Sequence, residues 1–76
     1  MKTDIITYKY SVALMLDIVQ TLGTINRFDI SRKLMKNGQK NNFVKVSIDT
    51  MVEVLSLITT IKSKDLRLSL IKKLGL

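Results

Sequence analysis

The chain has no proline, and its three glycines, Gly23, Gly38 and Gly75, each fall where an apolar helical pattern ends. Without proline nothing interrupts a helix sharply, and glycine readily takes the left-handed conformation just past a helix end. These positions divide the chain into helical stretches. At 76 residues it holds one domain at most, because two cores would each bury too little apolar area to offset chain entropy. The expected fold class is therefore all-α, a single helical domain over 1–76. It is a compact bundle of about four helices at 4–22, 26–36, 48–61 and 64–74, with 43–48 readable as a short strand or as an extended lead into the third helix.

The local signals behind those boundaries are apolar spacing and caps. Ile5, Tyr8, Val12, Met15, Val19 and Leu22 recur at steps of three and four, which predicts a long first helix. Asn26 is a good N-cap for the second, with Ile25 and Ile30 in the hydrophobic staple arrangement and Asp29 near the positive end of the dipole. On that helix Phe28, Ile30, Leu34 and Met35 face one way, while Asp29, Arg32, Lys33 and Lys36 line the other. The polar run Gly38 to Asn42 reads as the one substantial loop. Ser47 or Asp49 caps the third helix, whose weak point is the β-branched run Ile58-Thr59-Thr60-Ile61. The last segment alternates at Leu66, Leu68 and Leu70 like a strand, but Ser63 and Asp65 at its start and Lys72, Lys73 and Gly75 at its end favour a helix.

The absences narrow the chemistry. With no His and no Cys, the chain lacks the usual zinc ligands, a thiolate nucleophile and a side chain that titrates unaided near neutrality. Its acids, Asp4, Asp17, Asp29, Asp49, Glu53 and Asp65, form no pair in a catalytic motif, and no glycine-rich phosphate loop occurs. The expectation is a protein that is not an enzyme and takes no metal or cofactor. Charges interrupt every apolar stretch before the roughly 20 residues that a bilayer span requires. Asp4, Lys9 and Asp17 break up any signal-peptide pattern, which leaves a cytoplasmic location as the expectation. A 46% apolar chain this short has a thin stability margin, so a homodimer is expected.

The net charge of +7 is unevenly distributed. Residues 1–25 are neutral and 47–61 carry −2, whereas 26–46 carry +5 and 62–76 carry +4. In the central stretch Arg27, Arg32, Lys33, Lys36, Lys40 and Lys45 stand against Asp29 alone. Such clustering attracts polyanions, because each cation that neutralises a phosphate releases a condensed counterion. These six residues are the candidate nucleic-acid-binding set. The expected function is DNA binding, by a homodimeric regulator of transcription or a DNA-associated protein. Two competing readings are that the lysines merely keep an apolar chain soluble, or that an adaptor or inhibitor docks its apolar helical surface on a larger protein. Residues 61–76 mix five cations with leucines, as a membrane-surface helix would, but Lys64 and Arg67 interrupt the apolar face.

Two DNA-binding layouts follow from the residues. A helix-turn-helix with 28–36 as the supporting helix and 49–61 as the reading helix fits poorly: about ten residues intervene where the motif has three or four, and Asp49 and Glu53 would face phosphates. If the second helix itself enters the groove, Arg32, Lys33 and Lys36 are the readers. From Phe43 onward, the alternating Lys45-Val46-Ser47-Ile48, a capping Asp49, one helix, the turn at Lys62-Ser63 and a second helix to Leu74 resemble the ribbon-helix-helix family. That resemblance implies strands paired between two chains, with Phe43, Lys45 and Ser47 directed to the major groove and Val44, Val46 and Ile48 to the core. The chain departs from the family in its short first helix, in lacking the usual glycine between helices, and in the roughly 40 residues that precede the strand.

Overall fold

The computed structural model describes residues 7–76. Within them the chain is mixed α/β rather than all-α: four helices pack on a three-stranded antiparallel sheet. The elements are β1 (Thr7–Ser11), α1 (Val12–Thr24), α2 (Phe28–Leu34), β2 (Gln39–Lys40), β3 (Phe43–Ser47), α3 (Ile48–Ile58) and α4 (Lys64–Lys73). The sheet order is β1-β3-β2.

The expected helix over 4–22 is corrected first. Its residues 4–6 lie outside the described residues, and Thr7–Ser11 is a strand. Thr7-Tyr8-Lys9-Tyr10-Ser11 alternates β-branched, aromatic and polar side chains, a pattern suited to a half-buried pleat. Tyr8 and Tyr10 share its inner face, their rings 6.3 Å apart, while Lys9 points outward. Ser11 ends the strand and caps α1, its Oγ accepting from the Leu14 N–H at 3.2 Å. The steps from Ile5 through Tyr8 to Val12 mimic a helical stripe only by spanning this junction.

Asn26 also plays a different part from the expected one. It adopts φ +58° and closes α1: its N–H donates to the Gly23 carbonyl and that of Arg27 to the Leu22 carbonyl, the paired bonds of a Schellman end. Gly23, expected to stop the helix, lies inside it. Arg27 is then the N-cap of α2, with no side-chain cap bond, and α2 spans seven residues rather than 26–36. The polar run 38–42 is not a loop but most of a hairpin. Asn41 and Asn42, at φ +54° and +67°, make a two-residue turn between Lys40 and Phe43, as the type I′ hairpin requires.

β3 lies between the other strands, paired with β1 along its length and with β2 at Phe43 and Val44. The strand pairing that the ribbon-helix-helix resemblance implies between two chains is therefore made within one chain. Val44 and Val46 face the core and Phe43 and Lys45 face outward, but Ile48 is exposed. α3 starts on Ser47, whose Oγ accepts from the Thr50 N–H, and stops before Thr59 and Thr60, which turn their hydroxyls back to the Ser56 and Leu57 carbonyls. α4 is a helix capped by Ser63 and ended by the left-handed Gly75.

One core joins the layers. Val44 and Val46 from the sheet meet Met15, Ile18 and Leu22 of α1, Met51, Val54 and Ile58 of α3 and Leu70 of α4, while Ile30 and Leu34 bury α2. Each such side chain contributes roughly 1.5–3 kcal/mol relative to exposure. Tyr10 ties the two ends together: its hydroxyl donates to the Leu74 carbonyl at 2.7 Å and lies 3.8 Å from the Met51 sulfur. Burial, with the neighbouring Tyr8 ring, pushes this phenol up to about 12. At the α3–α4 turn the Arg67 guanidinium donates to the Ile61 and Lys62 carbonyls.

Candidate nucleic-acid interface

α1 and α2 pack against each other and are joined by three residues, Ile25–Arg27, because the Schellman end at Asn26 reverses the chain at once. After α2 comes a turn through Met35–Asn37, then Gly38 at φ +66°, then the β2–β3 hairpin. The six sequence-derived cations fall on these consecutive pieces in three different settings.

Arg27 and Lys33 are engaged within the fold. The Arg27 guanidinium forks onto both carboxylate oxygens of Asp29 at 3.2 and 3.1 Å and also donates to Thr60 Oγ1 at 2.8 Å. Lys33 meets Glu53 at 2.7 Å, tying α2 to α3. The hydrogen bond from Arg27 holds the Asp29 carboxyl below the ordinary range, and that from Lys33 does the same for Glu53, with a smaller contribution from the charge of Lys36. Arg27 is half-buried and its partner Asp29, like Lys33 and Glu53, has an exposed side chain, so the pairs orient side chains more than they stabilise the fold.

Arg32 and Lys36 are exposed, and neither makes an ion pair among the described residues. Arg32 is on α2 and Lys36 lies one residue past its C-cap. Lys40 and Lys45 belong to the hairpin, on the outer face of the sheet. There the register sets Lys9 directly opposite Lys45 and Phe43 opposite Lys40. Lys9, within the stretch expected to be helical, holds its ammonium 4.2 Å from the Phe43 ring centroid. The signal that would have found it is the alternation Tyr8-Lys9-Tyr10.

No group of three or more potential metal ligands occurs among the described residues, and no helix there is long and apolar enough to cross a membrane. A cleft of about 400 Å³ is lined by Ile25, Arg27, Thr60, Ile61, Lys62 and Ser63, and of its two cations Arg27 is paired with Asp29. Compared with known proteins, the chain matches no family model, no curated sequence and no solved structure.

Proposed function

We propose that this protein binds duplex DNA through α2 and the adjoining hairpin, as a homodimeric DNA-associated regulator acting in the cytoplasm. The observation that carries the reading is the order of the parts: two packed helices joined by three residues, then a basic hairpin. In a DNA-binding helix-turn-helix the second helix enters the major groove. Here α2 holds that position, with Arg32 and Lys36 exposed and free of ion pairs among the described residues, and Lys40 and Lys45 following on the hairpin. Lys33, held by Glu53, orients α2 instead of reaching for a phosphate. Leu16, Val52 and Leu68 stay more than half exposed, as a dimer contact would require.

The test is fluorescence anisotropy with a labelled duplex. R32E/K36E is expected to bind at least about tenfold more weakly while its helical signal stays unchanged. Equal affinity in wild type and variant would overturn the assignment to α2. The same exposed leucines and valine favour a second reading, an adaptor that docks an apolar surface on a larger protein. Nuclease-treated pull-downs separate the two: the DNA-binding reading expects no stoichiometric protein partner, and the adaptor reading expects one.

A further inference from the structure

We infer that the outer face of the sheet is a binding site for an unpaired nucleotide of a single-stranded nucleic acid, with its base on Phe43 and its phosphate among Lys9, Lys40 and Lys45. This goes beyond the duplex reading: it shares Lys40 and Lys45 with that reading and adds Phe43 and Lys9, which that reading does not use.

The outer face of the sheet holds an unfavourable arrangement. Like charges directly opposite on paired strands destabilise a sheet. The register nevertheless sets Lys9 against Lys45, with Lys40 one strand over, and among the described residues no acidic side chain lines the depression they share with Asn41 and Phe43. An anion relieves that repulsion. At about 260 Å³ the depression falls short of the roughly 300–1,000 Å³ that encloses a drug-sized ligand, which limits the occupant to a small unit such as one nucleotide.

The aromatic ring selects among polymeric anions. Phe43 is 38% exposed amid the cations, with Lys9 over its face. An ammonium on an exposed ring is held more weakly than one donating to a phosphate, so an arriving phosphate draws Lys9 aside and uncovers the ring. A base then stacks there, which sequence-independent single-strand binders exploit. Duplex bases already have their faces stacked on one another and offer none to Phe43. An acidic peptide supplies the charge without the flat apolar face.

The experiment titrates labelled oligo(dT) and oligo(U) into the whole chain, with inorganic polyphosphate as a competitor that has charge but no bases. Phe43→Leu keeps the charges and an apolar side chain. It is expected to weaken both oligonucleotides about tenfold and leave polyphosphate affinity unchanged. A preference between the two oligonucleotides identifies DNA or RNA as the source. In the wild type the Phe43 ring-proton resonances are expected to move upfield with either oligonucleotide and to stay in place with polyphosphate. Unchanged oligonucleotide affinity in F43L, or ring resonances that ignore the oligonucleotides, overturns the proposal. Duplex binding by R32E/K36E is read separately, so loss of one reading leaves the other intact.

Discussion

Removing the Tyr10 hydroxyl is the sharpest probe of how the sheet and the last helix are joined. Tyr10 is 7% exposed, and its 2.7 Å bond to the Leu74 carbonyl links residues 64 apart in sequence. Tyr10→Phe keeps the ring in place but deprives the carbonyl of its donor. A hydrogen bond contributes about 0.5–1.5 kcal/mol net, and a buried acceptor left alone costs about 1–3 kcal/mol, so a loss of about 1–3 kcal/mol is expected. For a domain this small that lowers Tm by about 4–8 °C per kcal/mol. The pH dependence gives an independent check. Burial raises the folded phenol from 10.0 to about 12, so the neutral form is the one the fold favours. Its contribution is full below pH 10 and drains away as pH rises toward 12. Far-UV circular dichroism melts across that range should show wild type and Y10F far apart near neutrality and converging above pH 10. Equal stability at neutral pH, or a gap that widens with alkali, would refute the reasoning.

Other expected outcomes concern single contacts. Ser31 Oγ on α2 is buried and has no hydrogen-bond partner among the described residues, so Ser31→Ala should be neutral or stabilising in urea melts. Arg67→Ala strips two carbonyls of the α3–α4 turn of their donor and should cost about 0.5–1.5 kcal/mol, read as a lower denaturation midpoint at unchanged slope. At the hairpin, Asn42→Gly should be tolerated, because glycine accepts φ +67° freely. Asn42→Val should destabilise by about 1–2 kcal/mol, since a β-branched residue resists that region.

The legible part of the fold was its carboxyl-terminal half. Ser47 and Ser63 cap the helices they were expected to cap, and Thr59 and Thr60 end α3 early, because side-chain caps and β-branching act locally and leave a direct trace in sequence. The amino-terminal half departs from its local pattern for a physical reason. Tyr8 and Val12 are spaced as on a helix, yet β1 is fixed by pairing with β3, some 36 residues later, and no local pattern encodes that partner. Asn41-Asn42 forms a hairpin turn that the polar run 38–42 conceals, because the short strand before it, Gln39–Lys40, has no apolar alternation to mark a hairpin. At the candidate interface the positions of cations were readable, but their partners were not. Whether Lys33 is free or held by Glu53 depends on how α2 lies against α3, and Lys9 joins the group only through strand register.

The central claim is that Arg32, Lys36, Lys40 and Lys45 meet the phosphates of duplex DNA. The most direct measurement is the dependence of duplex affinity on salt concentration. If each of the four neutralises one phosphate in both protomers of the dimer, the logarithm of the binding constant falls against that of the salt concentration with a slope of about −7. A slope near zero, or no binding at low salt, would contradict it.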